Sequence, residues 1–319
     1  MTTKPRIAIT IGDAAGIGPE VTLKALGAPK LSNSAEIIVV GDAAHLGSVA
    51  SRFDLKPLPA SISIDDLKNL PPSFSYGADS ALTGKAAAEN IVRAVELWKA
   101  GKIDAIVTAP ISKNAIKLGG YDFPGHTEFL AHLTDTNEFA MSFFADSLRV
   151  ILMSTHLPLT EAIKFVTTER VASLIRFGDR EIQRLIGSKP RLAVAGINPH
   201  ASEDGRFGTE ERSLIAPAIE ECRDSGKDVS GPNPADTVFI NEMRRKFDAV
   251  IAMYHDQATI PVKTLAFDRA ENVTLGLPVI RTSVDHGTAY DIAGEGLASA
   301  GNMIAAVELA VDLAQRSRL

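Results

Sequence analysis

A chain of 319 residues, 45% hydrophobic and 23% charged, is long enough for two lobes and ordinary for a globular enzyme. Its formal net charge of -6 excludes the basic footprint that nucleic acids and membrane surfaces require, yet leaves room for a local anion site. The single cysteine, Cys222, excludes an internal disulfide and reads as a buried structural thiol in a helix.

The first predicted strand is Arg6–Ile11. Its apolar run is too short for the core of a signal peptide, and no stretch approaches the ~20 apolar residues of a membrane helix. The cytoplasm is the expected compartment. Gly12–Glu20 follows as a strand-to-helix turn, with Pro19 in the first helical turn. Its glycine spacing does not match G-x-G-x-x-G, so no dinucleotide phosphate loop is expected there. Ile37–Val40 is the next strand, and His45 lies at a helix start with no role assigned. Lys56–Pro72, dense in proline, reads as an irregular surface connection. A helix over Ala78–Ala100 follows, with Ala87, Ile91, Val95 and Trp98 on one face. Strands are then expected at Ala105–Thr108, Arg149–Met153, Leu192–Ala195 and Ala249–Met253. Helices are expected at Thr168–Ile186, Thr209–Ser225, Ala235–Lys246 and Asn302–Gln315, the last with Asn302 as N-cap. Continuous apolar strands alternating with amphipathic helices imply an α/β fold with helices on both faces of a parallel or mixed sheet.

Three of the seven histidines share one context: His156, His200 and His255 each lie just past a predicted strand. Ligand sites of open α/β sheets lie beyond the carboxyl ends of strands, so three imidazoles there could share a metal such as zinc, cobalt, nickel or iron. Asp236 and Asp256 are candidate further oxygen ligands or partners of those histidines. The plain alternative is three separate loop histidines bonded to backbone.

His126 and Thr127 open a helix after the Pro124–Gly125 turn, where backbone N–H groups and a hydroxyl can bind an anion; a simple helix entry is the alternative. His132 lies further along that helix and reads as packing. Lys263, Asn272 and Arg281 interrupt an apolar stretch over Ile260–Ser283. They are either solvated surface groups or phosphate ligands, and Lys113 is a further cationic candidate. The loop Asp285–Gly296 surrounds His286 and Asp291 with small residues that let a flat ligand approach backbone closely.

Together, Gly12–Glu20, Thr108–Lys113, Gly125–Glu128, Ser154–Leu159, Gly196–Ala201, Gly208–Glu211, Gly231–Phe239, Tyr254–Gln257 and Asn272–Gly294 resemble the 4-hydroxythreonine-4-phosphate dehydrogenases of vitamin B6 biosynthesis. The resemblance extends to their relatives acting on sugar-acid phosphates and runs nearly the full chain. It implies two α/β/α lobes, similar to isocitrate and isopropylmalate dehydrogenases, with the active site in the interdomain cleft. Residues 1–128 with 280–319 would form one lobe. Residues 129–279 would form the other, carrying the metal ligands and dimer contacts. The implied enzyme is a homodimer in which His156, His200 and His255, drawn from both subunits, hold a divalent metal, zinc first, then magnesium or cobalt. His126, Thr127, Lys263, Asn272 and Arg281 would bind substrate. His286, Gly287, Thr288, Ala289 and Asp291 would bind NAD or NADP. The implied reaction is oxidation with decarboxylation of 4-(phosphooxy)-L-threonine to 3-amino-2-oxopropyl phosphate, with the proton acceptor among Lys263, Asp236 and Asp256.

Ala14 and Ala258 depart from the proline and glycine usual in the family. Ile260–Lys263 looks closer to the relatives acting on D-threonate or D-erythronate 4-phosphate. A further branch oxidises a terephthalate dihydrodiol; the intact Gly125–Glu128 favours a phosphorylated substrate instead. The rivals to this reading are a metal-dependent lyase or hydrolase without NAD, and a phosphosugar-binding module without metal.

Overall fold

The computed structural model describes residues 4–56, 58–59, 61–145, 147–240, 245–266 and 270–317. Strands run in chain order as β1 (Arg6–Thr10), β2 (Glu36–Gly41), β3 (Ile62–Asp66), β4 (Ala105–Thr108), β5 (Ala140–Ala145) and β6 (Leu148–Leu152). They continue as β7 (Leu192–Ala195), β8 (Val229–Asn233), β9 (Ala249–Ala252), β10 (Glu271–Leu275) and β11 (Ile280–Ser283). The helices used below are α1 (Gly18–Leu26), α2 (Pro29–Ser34), α3 (Ala43–Arg52), α4 (Ala81–Lys99), α5 (Lys113–Leu118) and α6 (His126–Leu133). After them come α7 (Leu159–Phe165), α8 (Thr168–Ile186) and α9 (Ala216–Asp224), then the helices His255–Ala266 and Gly301–Arg316. The α/β class expected from the alternation holds. No described helix is long and apolar enough to cross a membrane.

The chain divides into two compact units, Met1–Phe139 with Leu277–Arg318, and Ala140–Gly276. In the first, strands stand in the order β3-β2-β1-β4-β11, all parallel. Ile7, Ala8 and Ile9 are fully buried, as a strand covered by helices on both faces requires. Ser80 caps α4 by accepting from the Leu82 N–H. The buried face of α4, including Ala87, Ile91 and Val95, joins Ile106, Ile116, Phe129 and Leu130 in one core cluster. In the second unit the order is β10-β5-β6-β9-β7-β8. β5 runs antiparallel to β10 and β6, and the rest pair in parallel. Its core gathers Val150, Leu152, Ala193, Val238, Val250 and Val262. Cys222 is fully buried and its thiol points to the Ala172 carbonyl at 3.6 Å, the structural role expected.

Several elements differ from expectation. Lys56–Pro72 contains β3, a mostly exposed edge strand whose flanking prolines and weak apolar pattern disguise it. Ile260–Ser283 is not one apolar stretch: the helix His255–Ala266 runs into it despite Pro261, and β10 and β11 follow. Ala300, not Asn302, precedes the C-terminal helix, and no side chain caps it. The helix expected over Ala235–Lys246 lies partly outside the described residues, and 235–239 form turns. The segment Thr209–Ser225 opens with a π-helical turn, Glu211–Ile215, before α9.

Two helical glycines predict opposite outcomes for one substitution. A Cβ on Gly84 in α4 would lie 1.9 Å from the Ala115 carbonyl oxygen of α5, whereas one on Gly47 in α3 would meet nothing within 4 Å. Gly84→Ala is expected to destabilise by about 3 kcal/mol through overpacking. Gly47→Ala is expected to stabilise by about 0.5–1 kcal/mol through helix propensity. Denaturant unfolding of both variants checks the signs.

Candidate functional site

β6 and β9 are parallel neighbours with Leu152 opposite Ala252, so both chains leave the sheet side by side. The Met253 carbonyl accepts from Ser154 Oγ at 3.1 Å, and the Met253 N–H donates to Gln257 Oε1 at 2.7 Å. The first bond ties the two exits together and the second braces the turn after β9, and His156 stands beside His255 with ring centroids 6.0 Å apart. The two rings line a cavity of about 270 Å³ with Thr155, Leu157, Tyr254 and Asp256. His255 Nδ1 lies 2.7 Å from Asp256 Oδ1. That contact engages Nδ1 and leaves Nε2 as the nitrogen that could meet a metal. Two imidazoles on one tetrahedral ion, at Zn–N bonds of about 2.0–2.1 Å, have centroids roughly 5 Å apart, so the rings would close by about 1 Å to share it.

His200 does not join them within the chain, although strand-end position alone implied it. Among the described residues no group of three or more His, Cys, Asp or Glu is gathered as a metal site. The reason lies in the backbone after β7. His200, Ala201, Ser202, Glu203 and Asp204 all have positive φ, between 43° and 66°. This left-handed run carries the His200 ring toward Phe207, 6.3 Å away. Glu211, 2% exposed, braces its base. Glu211 Oε1 accepts from the N–H groups of Ile197 at 2.7 Å and Asn198 at 2.6 Å, and Oε2 accepts from Asn198 Nδ2 at 2.9 Å. Sequence reasoning missed this clamp; a glutamate three residues past a glycine turn carries no chemical signal of its own.

The first unit brings together several of the expected substrate residues. β4 and β11 pair in parallel with Ser283 opposite Thr108. Arg281 is 4% exposed and donates from Nη2 to Thr108 Oγ1 at 2.9 Å. Burial lowers its pKa to about 10, with Glu128 opposing, so it stays charged at neutral pH. His126 opens α6. Burial first, and then Arg281, push its pKa well below the usual histidine range, and its Nε2 is buried without a partner. A buried cation beside an unpartnered imidazole nitrogen at a helix start is arranged for an anion. Thr127 stands next to it, half-buried. Thr108 is the contact that sequence reasoning passed over, though its strand-end position is the same signal that marked the histidines.

The other expected residues are placed as follows. Lys263 is exposed on the helix His255–Ala266, and Asp236 is exposed in the turn after β8. Asn272 lies on β10, its Oδ1 buried without a partner. Gly287 and Asp291 are exposed, and His286 has its Nε2 buried without a partner. The Thr288 carbonyl accepts from the Ile17 N–H at 3.0 Å. Tyr290, which sequence reasoning left without a role, donates to Asp13 Oδ2 at 2.8 Å. Burial raises the pKa of both groups. These bonds fasten the loop that includes Ala289 to the Gly12–Glu20 turn.

A pH dependence follows from His126. Its folded pKa lies below the unfolded value of 6.5. Below pH 6.5 the unfolded chain binds the proton and the folded one does not, so this contribution is full above that pH and lost as pH falls. The melting temperature is expected to fall more steeply between pH 6.5 and 5 in the native protein than in His126→Asn. Equal slopes would show that His126 titrates alike in both states.

With this geometry, comparison with known proteins is decisive for the family. The model for "Pyridoxal phosphate biosynthetic protein PdxA" matches residues 32–310. A D-threonate 4-phosphate dehydrogenase of Cupriavidus necator is 46% identical, over 98% of this chain and 98% of its own. A 4-hydroxythreonine-4-phosphate dehydrogenase of Geobacter metallireducens is 42% identical, over 98% of this chain and 96% of its own. The crystal structure of 4-hydroxythreonine-4-phosphate dehydrogenase from Klebsiella pneumoniae superposes with a TM-score of 0.91 at 40% identity, covering 98% of each chain. The family expected from the ordered motifs is therefore the right one: the chain is a dehydrogenase of the PdxA family.

Proposed function

We propose that the protein is a metal-dependent, NAD- or NADP-linked dehydrogenase of a four-carbon hydroxy acid phosphorylated at its far end. The buried Arg281 beside His126 Nε2 is the observation that carries this reading. It supports a phosphate better than a carboxylate because a phosphomonoester brings close to two negative charges and three acceptor oxygens to one cation and several N–H donors. D-threonate 4-phosphate is the first substrate to test, since Ile260–Lys263 resembles that branch and the Cupriavidus relative bears that name. 4-(Phosphooxy)-L-threonine is the second, from the name of the Geobacter relative.

His126, Thr127 and Arg281 bind the phosphate, with Lys263 and Asn272 as further substrate contacts. His156 and His255 would hold the metal, with His200 as the third imidazole. A bound divalent ion supplies acidification of the reacting hydroxyl, and bound nicotinamide supplies hydride acceptance. Asp256 orients His255 through Nδ1, which leaves Lys263 and Asp236 to take the hydroxyl proton. The loop His286, Gly287, Thr288, Ala289 and Asp291 is assigned to the cofactor, and the buried, unpartnered His286 Nε2 supports that assignment. In the substrates named, the new ketone stands β to a carboxylate, so loss of carbon dioxide follows the oxidation.

A homodimer completes the reading. His200 stands apart from the other two histidines within one chain, and the apolar side chains Leu157 and Leu159 at the histidine cavity are 43% and 57% exposed. A second copy would cover that surface and supply the missing imidazole.

The test is nicotinamide reduction by purified protein with each phosphorylated acid and several divalent metals; no reduction with any of them would refute the reading. His200→Ala is expected to lose metal and turnover together while keeping its circular dichroism spectrum. Full activity in a metal-free His200→Ala sample would remove the metal site. Arg281→Ala is expected to raise the KM for phosphorylated substrate about 10- to 100-fold, the worth of a charge-assisted contact. An unchanged KM would remove its role.

A further inference from the structure

A cavity of about 670 Å³ in the first unit is lined by none of the residues assigned above. It opens at the carboxyl ends of β2 and β3, where Gly41 stands opposite Asp66. In open α/β sheets that edge is where ligands bind. Its inner wall is aromatic. His45, Phe74 and Tyr76 form a cluster with ring centroids 5.1 Å apart for His45–Phe74 and 5.5 Å for Phe74–Tyr76. The Arg52 guanidinium lies 5.0 Å from the Tyr76 ring centroid.

The polar groups divide into committed and uncommitted ones. Asp42 accepts from the His45 N–H through Oδ1 and from the Leu70 N–H through Oδ2. Asp66 Oδ1 accepts from the N–H groups of Ala43 and Lys68. Both carboxylates therefore brace the walls. His45 is 8% exposed and its Nε2 has no hydrogen-bond partner. Burial lowers the pKa of His45, which keeps the imidazole neutral, able to donate or accept one hydrogen bond. Arg52 and Lys68 form no ion pair among the described residues. The pocket thus offers flat π surfaces, one buried hydrogen-bonding nitrogen and two free cations. A heteroaromatic base carrying a phosphate matches all three.

The cavity also shares a wall with the loop assigned to the cofactor. Gly294 has φ +82°, and a Cβ there would lie 3.2 Å from Tyr76 Cγ and 3.4 Å from Arg52 Nη1. The loop's glycine lets Tyr76 and Arg52 pack directly against its backbone.

We propose that this cavity binds the adenosine phosphate half of the nicotinamide dinucleotide, with the base against Tyr76 and Phe74, a ring nitrogen or amino group at His45 Nε2, and phosphate at Arg52 and Lys68. The assignment rests on the nicotinamide-linked reading above. Isothermal titration of the full-length protein with AMP, adenosine and the dinucleotide it reduces tests it without reference to turnover. Tyr76→Ala is expected to weaken AMP and the dinucleotide about ten-fold or more, the worth of base stacking on an aromatic ring. Arg52→Glu, at an exposed position, is expected to weaken AMP at least about ten-fold and adenosine by less than about two-fold. A protein that reduces nicotinamide normally but shows unchanged AMP and dinucleotide affinity in both variants, or in Arg52→Glu alone should Tyr76→Ala not fold, overturns the cavity assignment and leaves the dehydrogenase reading standing. Loss of AMP binding in the variants of a protein that reduces neither dinucleotide supports the cavity and overturns the dehydrogenase reading.

Discussion

The parallel pairing of β6 with β9 is the constraint on which the histidine pair of the second unit depends. Two buried parallel strands in register must release their chains at the same edge, and the next polar residues then meet whatever their separation in sequence. His156 and His255 are 99 positions apart, yet Leu152 opposite Ala252 brings their rings to 6.0 Å. The pairing of β4 with β11 does the same in the first unit for Thr108 and Arg281. In both cases the buried apolar strands supply the stability, and the candidate site residues stand at or just past the last turns of backbone pairing.

That constraint also explains what the amino-acid order reveals. The apolar strands β1, β4, β7 and β9 are legible because burial on both faces leaves a continuous hydrophobic run. The edge strand β3 is hidden because most of its residues face solvent and its neighbours are prolines. The histidines after β6 and β9 could be located by their strands. The position of His200 could not, because it depends on a left-handed turn for which no glycine advertises the backbone. Thr108 escapes for a different reason: a threonine at a strand end is common, and only a buried partner gives it meaning.

The turn after β7 shows how such a conformation is held. Left-handed geometry costs about 1–2 kcal/mol per residue, or roughly 5–10 kcal/mol for five residues. Hydrogen bonds to a charged group contribute about 1.5–3 kcal/mol each, and the buried Glu211 accepts three from Ile197 and Asn198. The two magnitudes are comparable. The segment therefore persists because Glu211 holds its base, and His200 is presented by strain balanced against one buried carboxylate.

Electrostatics set the Arg281–His126 cluster, the proposed phosphate site, apart from the rest of an acidic protein. With a formal net charge of -6, long-range attraction does not bring a phosphorylated acid to the surface. The selectivity has to be local. Arg281 keeps its charge although burial lowers its pKa to about 10, and Glu128 opposes that lowering without lying within the pocket's buried core. His126 stays neutral beside it, so the pocket holds one fixed positive charge. A phosphate dianion arriving there would reverse the penalty on a second charge: its field favours the imidazolium that Arg281 and burial disfavour in the free enzyme. Substrate binding would then be linked to proton uptake at His126. A neutral analogue of the same shape would bring no such field and would leave His126 neutral.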